Sequence, residues 1–250
     1  MARGGPKCPP HRNHDRLIVF NGERMSCLPR PLIVASAALF ASLALAGSAQ
    51  ARVLEVGTAK GDQPPSCPDS PCLAVSRTTG YQTQLGTKGG AYKARADGRI
   101  VAWTVDLGAP NGRQVAFFDQ AFGKASAGIT ILRRGKKKLQ RFNVGESPVV
   151  QLEPYLGQTV QFPLATSLAV RKGDIVALTV PTWAPVLTQL LSDGSAWLAS
   201  RPKGGCDNTD TQTAHVKTGP TRYRCKYTAR LTYSATLVTN PVPTASASRR

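Results

Sequence analysis

Apolar and polar side chains alternate along most of this chain, a pattern typical of extended strands and not of helices. The longest example is YRCKYTARLTYSATLV, residues 223–238, in which every second residue from Tyr223 to Leu237 is apolar and the residues between them are Arg, Lys, Thr or Ser. Such a strand packs one face on a core and presents the other to solvent, as antiparallel sheets do. The alternation therefore predicts an all-β protein.

Turn residues between alternating segments predict two hairpins. In RIVAWTVDL, residues 99–107, one face carries Val101, Trp103, Val105 and Leu107, and the other carries Ile100, Ala102, Thr104 and Asp106. The Asn111-Gly112 pair that follows favours a type I′ turn, so RQVAFFD, residues 113–119, is expected to pair back antiparallel. Segments 127–134 and 137–144 flank Gly135 and are expected to form the second hairpin.

Further short strands are expected at residues 148–152, 159–162, 174–180 and 195–199, and no helix of useful length is indicated. Turn residues recur at the spacing typical of sandwiches. The predicted fold is an antiparallel β-sandwich of jelly-roll or immunoglobulin-like topology over residues 80–240. Residues 52–79 are expected to form an N-terminal segment with a disulfide loop, and the polar, proline-rich residues 241–250 a disordered tail.

The N-terminus has the features of a signal peptide, predicted over residues 1–51. Residues 32–46, LIVASAALFASLALA, form an apolar run, and Ala49-Gln50-Ala51 provides small residues at a cleavage site. The run is shorter than the roughly 20 residues that a membrane-spanning helix needs. Translation from Met1 or from Met25 gives the same processed chain, which begins at Arg52. The processed protein is therefore predicted to be secreted and to have no transmembrane segment.

The processed chain is strongly basic and contains four cysteines. Removing residues 1–51 takes away six of the 32 basic and two of the 14 acidic residues, which leaves a formal charge of +14. In an oxidising compartment, the even cysteine count predicts two disulfides, with three possible connectivities. Cys67–Cys72 and Cys206–Cys225 are the favoured pairs. A zinc site built from the four thiolates is the alternative, but their spacings differ from the paired C-x2-C pattern of such sites.

Several framework segments resemble a recurrent group of secreted bacterial β-sandwich proteins without an assigned activity. The segments are ADGRIVAWTVDLG, ILRR, VGESPVV and LAVRKGDIVALTVPTWAP, within residues 80–240. They include a tryptophan in a buried strand, Trp103, and the turn Lys172-Gly173-Asp174. The resemblance implies the fold and export, and it transfers no catalytic residue.

No catalytic residue, cofactor or metal ligand is assigned from the sequence. His215 is the single histidine of the processed chain, and no G-x-S-x-G motif accompanies it, so an exposed loop histidine is favoured over a serine hydrolase. Asp97, Asp174 and Asp193 lie beside glycine in apparent turns, where aspartate commonly caps backbone amides. Residues 207–210, DNTD, carry oxygen ligands without the spacing of a calcium loop.

Three aromatic residues, Tyr155, Trp183 and Trp197, are candidates for a platform that stacks on sugar rings. Trp183 lies in PTWAP, where the flanking prolines are expected to stiffen a loop and limit strand pairing. The favoured alternative is that these aromatic side chains close the open ends of the sandwich.

The basic stretch LRRGKKKLQR, residues 132–141, falls at the tip of the second predicted hairpin. Its cations are the candidate polyanion contacts Arg133, Arg134, Lys136, Lys137, Lys138 and Arg141. Exposed like charges about 4 Å apart repel by only about 1 kcal/mol in water, so a solvated tip is stable without a ligand. The favoured interpretation is such a solvated tip, with exposed charges whose removal costs little stability. The alternative is a polyanion grip.

Two functional hypotheses follow. The first is a secreted, non-enzymatic binding or structural module of the cell envelope or extracellular space. Its expected partner is an anionic cell-wall polymer or glycan, without specific recognition of nucleic acid. The second is an extracellular glycan hydrolase that uses a pair of carboxylates about 5 to 10 Å apart.

Overall fold

The computed structural model describes residues 50–58, 64–188, 194–201, 204–207, 214 and 219–241. Residues 1–49 of the predicted signal peptide and residues 242–250 of the predicted tail lie outside the described residues. The strands are β1 (Val53–Thr58), β2 (Val75–Leu85), β3 (Lys88–Gly89), β4 (Gly98–Asp106), β5 (Ser126–Arg134), β6 (Gln140–Glu146), β7 (Val150–Gln151), β8 (Thr159–Val170), β9 (Ile175–Ala184), β10 (Leu187–Thr188), β11 (Ala196–Ala199), β12 (Pro220–Arg222), β13 (Cys225–Tyr227), β14 (Arg230–Leu231) and β15 (Tyr233–Thr239). An α-helix, α1, spans Gly112–Phe122, and a short 3-10 helix spans Glu153–Tyr155.

Two antiparallel sheets form a sandwich, as the alternation predicted. The smaller sheet has the order β1-β15-β4-β8, and the larger runs β12-β6-β5-β9-β2-β11-β13, with β3 and β7 pairing on β2 and β5. When β1, β2, β4, β5, β6, β8, β9 and β15 are numbered one to eight, the sheets run 1-8-3-6 and 2-7-4-5. This is the jelly-roll order, in which the chain crosses between sheets at every connection except the β5–β6 hairpin.

The main core lies between the two sheets. Trp103 and Tyr233 from the smaller sheet pack with Ile129 and Val176 from the larger, and each is at most 1% exposed. The buried hydroxyl of Tyr233 donates to the carbonyl oxygen of Val176 at 2.9 Å, so its polar atom is satisfied across the sandwich. A smaller apolar cluster lies on the other face of the larger sheet, where alternate residues of the same strands point: Tyr81, Leu132, Ile175, Ala177, Leu198 and Tyr223.

The long alternating segment 223–238 behaves as predicted on its apolar side. Every second residue from Tyr223 to Leu237 is buried or half-buried. The segment is divided among β13, β14 and β15, however, because its partners change from β11 to β10 and then to the smaller sheet. On the side expected to face solvent, Thr232 and Ser234 are buried, which corrects the prediction at that end.

Strand β4 departs from its predicted alternation at one point. Its pairing with β15 shifts register between Ile100 and Ala102, where two residue steps of β4 stand opposite the single step from Leu237 to Thr236. An extra residue in a ladder turns the preceding side chains to the opposite face. Ile100 is therefore fully buried and Val101 only half-buried, the reverse of the prediction, whereas Trp103, Val105 and Leu107 lie in the core as expected.

The first predicted hairpin is wrong, because residues 112–122 form α1. Asn111 adopts an extended conformation (φ −72°, ψ 166°) and acts as the helix N-cap, where its side chain accepts from the backbone amides of Arg113 and Gln114. The Gln114 side chain accepts from the Asn111 amide, which completes a capping box. Val115, Phe118 and Phe122 follow helical spacing and pack against the core.

We expect Asn111→Ala to lower the free energy of unfolding by about 1 kcal/mol, because two backbone amides of α1 would lose their acceptor. Urea unfolding of the chain from Arg52 onward measures this loss. The matched control is Arg113→Ala, which replaces an exposed side chain in the same turn and keeps the cap; equal effects of the two substitutions would contradict the capping role.

The remaining elements agree more closely with the sequence. The β5–β6 hairpin forms as predicted, and both favoured disulfides, Cys67–Cys72 and Cys206–Cys225, are present. The segment 52–79 is not separate from the sandwich, because β1 pairs with β15 along its whole length and β2 begins at Val75. Among the described residues, none of the helices is both long and apolar enough to span a bilayer.

Candidate functional site

The basic stretch occupies the tip of the β5–β6 hairpin, as predicted. The turn is closed by hydrogen bonds from the Gly135 amide to the Gln140 carbonyl oxygen and from the Gln140 amide to the Lys137 carbonyl oxygen. Four of the six cations, Arg134, Lys136, Lys137 and Lys138, are exposed. The other two are held by partners in the body of the protein, so the tip is not uniformly solvated.

Arg133 is one of the held cations, which corrects the prediction that its charge is simply exposed at a solvated tip. Its Nε and Nη2 atoms donate to the two carboxylate oxygens of Asp174, at 2.9 and 2.6 Å. Asp174 is 3% exposed, whereas the Arg133 side chain is 35% exposed. The hydrogen bond to Asp174 raises the pKa of the Arg133 guanidinium above its ordinary value. The pair therefore links the hairpin to the turn before β9.

Arg141 is the second held cation. Its Nη2 donates to the hydroxyl of Tyr81 at 2.9 Å, and its guanidinium lies over the Tyr81 ring, 5.4 Å from the centroid. Burial raises the pKa of Tyr81, although the neighbouring Arg141 acts in the opposite direction. Tyr81 belongs to the smaller apolar cluster, so Arg141 covers the outer face of the larger sheet.

The hairpin tip borders a concavity with a volume of about 590 Å³, which we call the basic depression. Leu139 and Ile175 contribute apolar side chains to its lining. Seven cations and one acid, Asp174, line it. The cations come from three segments of the chain and are Lys93, Arg133, Arg134, Lys138, Arg141, Arg171 and Lys172. Because Asp174 is already paired with Arg133, the depression presents a net positive surface.

The turn that contributes Arg171 and Lys172 is fixed by two aspartates. Asp174 accepts from the Arg171 amide at 2.9 Å, and Asp97 accepts from the Lys172 amide at 2.7 Å. Both carboxylates therefore cap backbone groups, as predicted for aspartates in turns. Their capping holds the two exposed cations of the turn at the rim of the depression.

The structure does not support the predicted sugar-stacking platform. Trp183 is fully buried, its ring stacks on Phe118 at 4.7 Å, and its Nε1 donates to Asp119 at 3.0 Å. Trp197 is 3% exposed and stacks on Tyr227. Because both rings are covered, neither tryptophan presents a face on which a sugar ring could stack. Tyr155 is half-buried and packs edge-on against Phe162.

One pair of carboxylates has a shared partner. The Nζ of Lys124 lies 2.6 Å from an oxygen of Asp119 and 3.2 Å from an oxygen of Glu153. Burial acts to raise the pKa of Asp119, but hydrogen bonds from Lys124 and Trp183 outweigh it, and the pKa lies below its ordinary value. A general acid of a glycosidase needs a raised pKa instead, so this arrangement has the character of a structural ion pair.

The remaining sequence candidates are a histidine, an aspartate and part of the DNTD segment. His215, Asp193 and residues 208–210 lie outside the described residues. Within the described ranges, no group of three or more His, Cys, Asp or Glu side chains could hold a metal ion.

The residues that sequence reasoning missed are Lys93, Arg171 and Lys172. For Arg171 and Lys172, the only signal in the sequence was that two cations are adjacent in RKGD, residues 171–174. Their approach to the hairpin depends on how the strands pair, since Lys93 bridges to Ile175 and β9 pairs with β5.

Neither a protein-family model, nor a curated protein, nor a solved structure matches this chain.

Proposed function

We propose that this protein is a secreted, non-enzymatic β-sandwich module that binds a polyanion in the basic depression, at the cell envelope or outside the cell. The observation that carries the proposal is the convergence of seven cations on one concave surface with a single acid, already paired. Clustered charge of one sign in a concavity focuses the electrostatic field and attracts oppositely charged ligands.

The arrangement favours binding over a merely solvated tip. If the hairpin were only a solvated turn, its cations would have no reason to share a concavity with cations from elsewhere in the chain. Three cations from other segments do line the depression beside the exposed cations of the hairpin, namely Lys93, Arg171 and Lys172. The planar guanidinium of arginine binds phosphate and carboxylate groups well, because it can donate two parallel hydrogen bonds to them.

Two further observations support an extracellular location. The two disulfides indicate a non-reducing environment. The apolar run and the small residues before Arg52 have the pattern of a cleaved signal peptide.

Calorimetric titration with inorganic tripolyphosphate tests the proposal. We expect the double variant Arg134→Gln/Lys138→Gln to bind about tenfold more weakly than the parent, because two exposed ion pairs worth about 0.7 kcal/mol each would be lost. Both side chains are exposed, so folding should be unaffected.

The matched control is Arg113→Gln/Lys226→Gln, which removes the same charge from exposed positions away from the depression. Its affinity should stay within about twofold of the parent. Equal weakening in both double variants would show that only the total charge matters, and absence of binding by the parent would refute the proposal.

A further inference from the structure

A second depression of about 800 Å³ lies beside the basic depression, and we call it the terminal depression. Arg52, at the predicted start of the processed chain, lines it together with Arg95, Lys172 and Asp97. Leu54 and Thr239 of the smaller sheet also line it, with Ala96 and the segment 240–241. Gln50, which also lines it, belongs to the predicted signal peptide.

The two depressions adjoin. Lys172 lines both of them. The segment before β4 is held against the turn before β9, since the Ala94 amide donates to the Asp174 carbonyl oxygen and the Gly173 amide to the Ala94 carbonyl oxygen, each at 2.8 Å. Lys93 lines one depression and Arg95 the other, and two residues along a chain span at most about 7 Å. Successive charges of one ligand can therefore reach both.

The combined surface carries nine cations and two acids, of which Asp174 is neutralised by an ion pair and Asp97 keeps its charge. Arg52 and Arg95 add to the seven cations of the basic depression. Asp174 is paired with Arg133, and Asp97 accepts from the Lys172 amide. The Arg52 backbone nitrogen, which donates to the Thr239 hydroxyl, would be the α-ammonium of the processed chain and would add another cation.

The aromatic residues near this surface argue against recognition of nucleobases. Proteins that bind single-stranded nucleic acid stack bases on exposed aromatic rings. Here Tyr81, Tyr92 and Tyr223 are at most 3% exposed. A duplex would have to bend to follow two adjoining concave surfaces, at an elastic cost that a flexible single chain does not incur.

Resting on the proposed function, we infer that the ligand is a flexible, linear phosphate polymer without bases, which crosses Lys172 and occupies both depressions. A short phosphate oligomer fills the basic depression alone, where cations are most concentrated. A long chain gains the contacts with Arg52 and Arg95 as well.

The test compares inorganic tripolyphosphate with polyphosphate of about 25 units, at equal phosphate concentration, using the processed chain and the double variant Arg52→Gln/Arg95→Gln. We expect the variant to bind tripolyphosphate within about twofold of the parent and long polyphosphate about tenfold more weakly. The slope of log affinity against log salt for the long chain should fall by about 1.4, which corresponds to two phosphate contacts on a single strand.

The control is again Arg113→Gln/Lys226→Gln, and a thermal melt verifies that every variant is folded. If the terminal variant weakens long polyphosphate no more than this control does, the inference is overturned while binding in the basic depression stands. If the parent fails to bind tripolyphosphate, the proposed function itself fails. A 25-nucleotide thymidine strand that binds more tightly than the polyphosphate would show that the ligand class is wrong.

Discussion

Replacing Trp183 with alanine should lower the free energy of unfolding by about 3 to 5 kcal/mol, the range for deleting a large buried aromatic side chain. The side chain is fully buried, so the substitution leaves a cavity between β9 and α1. It also removes the Nε1 donor to Asp119, whose other partner is the exposed Lys124.

Urea unfolding followed by circular dichroism measures this loss. Trp183→Phe is the informative companion, because it keeps a stacked ring against Phe118 while it removes the donor and part of the indole volume; we expect a loss of about 1 to 2 kcal/mol. A stacking platform would give the opposite result, namely an alanine variant with unchanged stability and weaker glycan binding. That outcome would contradict the buried position of Trp183.

The prolines that flank Trp183 predict a stiff loop with limited strand pairing. Strand β9 in fact continues to Ala184. Pro181 is accommodated because the register between β2 and β9 shifts between Ser76 and Thr78, so the residues opposite this irregularity need no regular ladder bond. Such a bulge depends on the partner strand, and local sequence does not reveal it.

The helix α1 was missed for a different reason. Asn111-Gly112 is compatible with a type I′ turn and also with a helix N-cap followed by glycine. The short apolar run after it has both two-residue and helical spacings. The helical spacing of Val115, Phe118 and Phe122, together with Gln114 at the capping-box position, could have indicated the helix.

The strand alternation and the local disulfide were predictable because they depend on near neighbours in sequence. The basic depression was not predictable in this way. Lys93 precedes the hairpin in the sequence and Arg171 follows it, and the jelly-roll connections bring both residues to the hairpin. Within the predicted site, the environment of Arg133 also depends on a residue that is distant in the sequence. The identity of its partner, Asp174, 41 residues later, determines whether the charge is free.

Replacing Arg133 with glutamine should therefore lower the free energy of unfolding by about 2 to 3 kcal/mol. Removing one partner of a buried ion pair costs about 3 to 5 kcal/mol, and the partial exposure of Arg133 reduces that figure. The triple variant Lys136→Gln/Lys137→Gln/Lys138→Gln, with three exposed cations removed from the same tip, should change stability by less than about 1 kcal/mol.

A double-mutant cycle assigns the Arg133 effect to the pair. Asp174→Asn keeps an oxygen that can accept from the Arg171 amide but removes the charge that Arg133 neutralises. Combined with Arg133→Gln, it leaves no unpaired buried carboxylate, so the double variant should be more stable than the sum of the single losses predicts, by about 1 kcal/mol or more. Additive losses, or an Arg133→Gln variant as stable as the triple lysine variant, would mean that Asp174 does not depend on Arg133. The Arg133 charge would then matter no more for stability than the three exposed lysine charges of the same tip.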